Sequence, residues 1–173
     1  ELLMGLVAYY QHFPEPRVLD AAKRMGNSLV ENHHKTPGRH FYKGLAIGRL
    51  FELAEVSDED IFRKGAVEIA GAQALSVLTL EGGSHGAVGP MIAIGYLQLH
   101  RATGESRYWD WALEIWKATK ARMFITGGLG EVLFFTKPPS ESDLHDETCQ
   151  HAWWLLFNLE LWRMTGGIQY LDL

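Results

Sequence analysis

Apolar residues recur at intervals of three and four along seven stretches of the chain: Leu2 to Tyr10, Val18 to Val30, Leu45 to Val56, Ile61 to Ala74, Val88 to Leu99, Trp109 to Ala118 and Ala152 to Met164. That interval lines the apolar side chains along one face of a 3.6-residue helix, so each stretch predicts a helix with a face to bury. Between helices, short polar turns lead into apolar or aromatic residues, as in PEPRVLD, SDEDIFR, GESRYWD and GGIQYLD. With Val18, Ile61, Tyr108 and Tyr170 taken as equivalent points, the first three lie roughly forty-odd residues apart, a period that marks stacked helix pairs. A single helix pair cannot bury both of its faces. The pattern therefore predicts an all-α protein of stacked helical hairpins, a fragment of an (α/α)6 toroid or barrel whose neighbouring repeats lie beyond Glu1 and Leu173.

Composition narrows the class. The 173 residues, 47% hydrophobic and 12% aromatic, are enough for one core, so residues 1–173 are expected to form a single domain. That domain is expected to be incomplete at both ends, because ELLMGLVAYYQ opens inside a helical pattern and TGGIQYLDL stops where another helix should start. The net charge of −5 offers no basic field for phosphate backbones or anionic lipid, which argues against nucleic-acid and membrane-surface partners. No apolar run approaches the roughly 18 residues needed to span a bilayer. The lone cysteine forbids an internal disulfide and leaves the cellular compartment undetermined.

The interval between Tyr108 and Tyr170 is longer than the others, and the excess lies in FITGGLGEVLFFTKPPSESDLHDETC. Extra residues in repeat folds gather on one face, where binding happens. Met123 to Thr126 and Val132 to Phe135 read as strand pieces joined by Gly127, Gly128 and Gly130, a short β-hairpin-like insertion ended by Pro138 and Pro139. It is not a phosphate loop, since TGGLGE lacks the lysine and leads to an apolar strand.

Glu147 and Cys149 close this segment. Residues two apart diverge within a helix but share a face in extended chain, so a common site requires them at a helix entrance. Asp143 is a suitable N-cap, and the periodicity proper starts near Ala152. A thiol in a first turn feels the positive helix end, which lowers its pKa. On spacing alone burial is the favoured reading, with Cys149, Ala152, Trp153, Leu156 and Leu159 forming an apolar stripe. A zinc site would need further ligands, for which His33, His34, His40, His85, His100, His145 and His151 are candidates. Glu131 precedes VLFF, and apolar surroundings would raise its carboxyl pKa toward use as a general acid; otherwise it is a solvated loop carboxylate. The tryptophans Trp109, Trp111, Trp116, Trp153, Trp154 and Trp162 have helical spacing, which favours packing over service as sugar platforms.

With FITGGLG followed by a glutamate, ETC heading a helix, and TG ahead of a tyrosine-bearing helix, the chain resembles the β-L-arabinofuranosidase family of glycoside hydrolases, family 127. The likeness covers most of the chain and is strongest from His85 to Asp172. It implies a catalytic α/α barrel in which a glutamate and three cysteines hold zinc, one cysteine thiolate attacks the anomeric carbon, and a second glutamate is the acid/base. Carried over by position, the resemblance makes Glu147 and Cys149 zinc ligands. It makes Glu131 the acid/base, because the family's acid/base precedes the ETC glutamate by the interval separating Glu131 from Glu147. The sugar-contacting histidine of a GHAVR stretch maps to His85 in GSHGAVG, or to Gly86 by a one-residue slip. A second family histidine maps to His40 ahead of LAIGRLF.

The chain departs from the family in TKPPSESDLHD, where an Asn- and Tyr-bearing approach to ETC is usual and His145 takes the place of a common tyrosine. The paired cysteines that follow ETC in the family do not occur by Leu173. The resemblance thus implies a retaining hydrolase of a β-L-arabinofuranoside-like furanoside. Its zinc would be completed, and its nucleophile supplied, by downstream cysteines. Its partners would be a carbohydrate substrate and the rest of its own parent chain, without which this fragment would be inactive. The competing readings are a metal-free α/α-toroid sugar epimerase or polysaccharide lyase, and a non-catalytic carbohydrate-binding paralogue.

Overall fold

A computed structural model describes residues 2–33, 40–79, 84–124, 127–133 and 147–172, with the backbone alone for 40–45, 73, 132 and 133. Among these residues are seven α-helices: α1 (Leu2–His12), α2 (Pro16–Asn32), α3 (His40–Ser57), α4 (Asp60–Gln73), α5 (Val88–Thr103), α6 (Ser106–Lys120) and α7 (Thr148–Thr165). Two 3-10 turns, Ser76–Thr79 and Ile168–Tyr170, and two short strands, β1 (Ser84–His85) and β2 (Val132–Leu133), complete the description. Each helix falls on one of the seven periodic stretches. No helix among the described residues is long and apolar enough to cross a membrane. The chain divides into two compact units, Glu1–Gln73 and Ala74–Leu173.

In the first unit α1 packs on α2 and α3, and α3 runs along α4. Leu3, Val7, Ala22, Ile47, Leu50, Leu53, Phe62 and Ile69 form its core. Gly26 permits the close approach of α2, since a Cβ there would lie 2.4 Å from Leu53 Cδ2 and 2.8 Å from Phe62 Cε1.

In the second unit α5 packs on α6 and α7 around Val88, Ile92, Tyr96, Leu97, Tyr108, Ile115, Trp154, Phe157 and Leu161. Trp116 stacks on Trp154 at 6.3 Å and meets Tyr170 edge-on at 5.1 Å. Beneath them the buried Asn158 accepts from Trp116 Nε1 at 2.7 Å and donates to the Trp154 carbonyl at 2.8 Å. Trp116 and Trp154 are therefore packing residues, as their spacing favoured.

One turn recurs at the ends of α3, α5 and α7. The hydroxyls of Ser57, Thr103 and Thr165 donate to the carbonyls of Leu53, Leu99 and Leu161, and accept from the N–H groups of Glu59, Glu105 and Gly167. The intervening Asp58, Gly104 and Gly166 take positive φ of 55, 72 and 68°, the left-handed step that ends many helices. Aligned on these turns, the equivalent aromatic positions are Phe62, Tyr108 and Tyr170, all buried. Ile61, which the turn pattern had paired with Tyr108, is 50% exposed. The repeat is real, with its register moved by one residue.

The inserted segment differs from a simple hairpin. Met123 and Phe124 form no strand: Phe124 N–H donates to Gly128 O at 2.8 Å and Gly127 N–H to Phe124 O at 2.9 Å, closing a turn. Val132–Leu133 is a strand, and its antiparallel partner is Ser84–His85. Thr126 and Phe135, the far ends of the two expected strand pieces, lie outside the described residues.

Candidate active site

The site is assembled where β1, the glycine-rich turn and the entrance of α7 meet. Ser84 pairs with Leu133 and His85 with Val132, and Gly86 N–H donates to the carbonyl of Glu131 at 2.9 Å. A Cβ on Gly86 would lie 2.5 Å from the Gly130 carbonyl oxygen and 3.2 Å from Gln150 Cδ, so glycine is what lets these segments close. The first turn of α7 grips the same loop, with Leu129 N–H donating to His151 Nε2 at 3.3 Å. Gln150 is fully buried, and its Oε1 accepts from Glu147 N–H at 3.3 Å.

Glu147 is the N-cap of α7, with extended φ −128° and ψ 137°. Cys149 follows in the first turn, which is the arrangement that allows residues two apart to converge. Cys149 Sγ donates to Glu147 Oε2 at 3.3 Å. His85 Nε2 lies 3.1 Å from the same oxygen and 4.0 Å from the sulfur. Cys149 is exposed, so it is not core filling. The N-cap expected at Asp143 falls outside the described residues, and the helix begins at Thr148.

The electrostatics correct one expectation. The Cys149 thiol is pushed above its ordinary value, first by loss of hydration, then by its hydrogen bond to Glu147 and by that group's charge. Backbone N–H groups at the helix entrance pull the other way and lose. A helix end amounts to about half an elementary charge, whereas the adjacent carboxylate carries a whole one. Glu147 itself is held below the usual carboxylate range, by the Cys149 hydrogen bond and then by His85.

Three potential ligand atoms thus bound a triangle with edges of 3.1, 3.3 and 4.0 Å. Tetrahedral zinc, with bonds of about 2.0–2.3 Å, sets neighbouring donors about 3.3–3.8 Å apart. The thiol, carboxylate and imidazole positions fit such a cation. Among the described residues they form a group that could hold a metal ion.

The other sequence candidates are placed as follows. Glu131 is half-buried, and its backbone is fixed beside His85 by the Gly86 bond. His40 is the first residue of α3, and its side chain lies outside the described residues, as do His34 and His145. His33 is buried, with Nδ1 2.6 Å from Val30 O and Nε2 3.5 Å from Glu68. His100 Nδ1 bonds the Glu105 carbonyl at 3.0 Å. Each of these two is held by contacts of its own. Gly86, Gln150 and His151 serve the site by holding its parts together. Gly86 had surfaced in the sequence only through an alignment slip, and Gln150 carried no signal there.

The chain matches the family model for the beta-L-arabinofuranosidase, GH127 catalytic domain over residues 1–173, and it belongs to that family. Among solved structures it is similar to the Lin0763 protein from Listeria innocua, with 16% identity, a TM-score of 0.78, and coverage of 99% of this chain and 53% of that one. At this identity the likeness carries the fold, and the chain spans about half the length of the Listeria protein. The all-α architecture of helical hairpins, part of an α/α toroid, is the fold these likenesses show. No curated protein matches the chain.

Proposed function

We propose that this chain carries part of the active site of a retaining glycoside hydrolase acting on a β-L-arabinofuranoside-like furanoside. The observation that supports the reading most is the convergence of Glu147 and Cys149, with His85, next to the strand that follows Glu131. Glu147 and Cys149 hold zinc together with cysteines outside residues 1–173. Zinc, when bound, supplies the positive charge that keeps thiolates ionised near neutral pH. The depressed pKa of Glu147 suits it to this role, since its carboxylate is ionised.

Glu131 is the acid/base. Its carboxyl passes a proton to the departing glycosidic oxygen while a cysteine thiolate from outside this chain takes the anomeric carbon. In the second half, the Glu131 carboxylate removes a proton from the water that displaces that sulfur. The resemblance also assigns sugar contact to His85 and His40; of these, His85 already bonds Glu147 through Nε2 and receives the Ala87 N–H at Nδ1. The test is Glu131→Gln in the full-length protein. Turnover of an aryl β-L-arabinofuranoside should fall by roughly 10²–10⁴-fold while zinc per chain is unchanged. Full activity in the variant overturns the acid/base role, and an active protein without zinc favours the epimerase or lyase alternative.

A further inference from the structure

We infer that His85 positions Glu147 as a hydrogen-bond donor and is not itself a metal ligand, although its Nε2 stands within ligand distance of the other two groups. The inference rests on the zinc reading above and concerns which of the three converging atoms a cation uses.

The reasoning starts at the opposite side of the ring. Ala87 N–H is directed at His85 Nδ1 across 3.3 Å. That nitrogen therefore presents its lone pair, and the ring proton sits on Nε2. Nε2–H then donates to Glu147 Oε2 at 3.1 Å. A ligating histidine has the reverse arrangement, with its metal-facing nitrogen bare and its other N–H given to a carboxylate, carbonyl or water.

For His85 Nε2 to take a cation, Nδ1 would have to carry hydrogen and point it at another donor. Ala87 cannot turn aside to relieve that opposition. It is buried, it directly precedes α5, and its carbonyl accepts from Met91 N–H at 3.0 Å. His85 is equally constrained, because its backbone is paired with Val132 and the next residue is bonded to Glu131. The imidazole is thus fixed in the tautomer that hydrogen-bonds a metal-binding carboxylate. This chain would contribute two ligands, Glu147 and Cys149, and one residue that orients the first.

The test uses the full-length protein, in wild-type, His85→Gln and His85→Ala forms. Zinc-edge X-ray absorption should show no imidazole scattering that depends on His85. Zinc affinity, measured by chelator competition, should drop about 10–100-fold in His85→Ala. It should return to within about threefold of wild type in His85→Gln, whose amide can still donate. An imidazole signal in wild type that vanishes in His85→Gln overturns the inference, and so does undiminished affinity in His85→Ala. A protein that binds no zinc sinks the functional reading above. The hydrogen-bonding role is then judged by the ¹⁵N shifts of His85 in metal-free protein: Nε2–H supports it, and Nδ1–H overturns it.

Discussion

The backbone N–H of Gly86 donates to the carbonyl of Glu131 at 2.9 Å, tying the candidate acid/base to the residue that follows His85. A methyl group on Gly86 would stand 2.5 Å from the Gly130 carbonyl oxygen, a backbone atom that cannot swing away. The short ladder must then open. Gly86→Ala is expected to cost about 1–3 kcal/mol of stability, seen by thermal unfolding. It should also lower kcat/KM of the full-length protein at least about tenfold through misplacement of Glu131. An unchanged kcat/KM would detach the ladder from the site.

The thiol of Cys149 gives a pH signature in metal-free protein. Its pKa is raised above the ordinary 9.0, so its alkylation by iodoacetamide, followed by mass spectrometry of the Cys149 peptide, should have a midpoint above that value. Glu147→Gln removes the charge and leaves only a weaker, neutral acceptor, and should lower the midpoint and speed reaction at mildly alkaline pH.

The same pair makes stability depend on pH at both ends. A raised thiol pKa stabilises the fold below the unfolded value, and that contribution disappears as pH rises through the folded one. The depressed Glu147 pKa contributes above the ordinary carboxylate range and is lost as pH falls through the folded value. Thermal unfolding across pH should be flatter at both ends in Glu147→Gln than in wild type. Identical profiles would show that the pair does not operate in solution.

Zinc retention separates ligands from supporting residues. Removing an orienting partner typically weakens a metal about 10–100-fold, and removing a ligand reaches or passes the top of that range. Cys149→Ser and Glu147→Gln in the full-length protein should therefore lose zinc to a chelator more readily than His85→Ala, as metal analysis after dialysis would report.

Asn158 joins two tryptophans from within the core, accepting from Trp116 Nε1 and donating to the Trp154 carbonyl. Asn158→Ala leaves the indole N–H without its buried partner, at an expected cost of about 2–3 kcal/mol. Urea unfolding measures it, and a loss below about 0.5 kcal/mol would mean that water replaces the amide.

Helix existence was legible from the sequence because an amphipathic stripe is local, a matter of which residues recur every three or four positions. The hairpin repeat was legible for the same reason, though not its register. Ile61 and Phe62 are both apolar, and the hydroxyl turn at Ser57 decides which one faces inward. The position of Cys149 resisted the sequence in a similar way. α7 is apolar nearly all round, so the stripe through Cys149, Ala152 and Leu156 looked as buriable as the one through Trp154, Phe157 and Leu161. The structure buries the second and exposes the first.

The sequence by itself determined seven helices, the turns between them, and the carboxylates and thiol available for chemistry, all properties of neighbours along the chain. Tertiary structure alone decided that Ser84–His85 pairs with Val132–Leu133 and that His85 comes to Glu147. Those contacts join segments far apart in the chain, and no local periodicity carries their register.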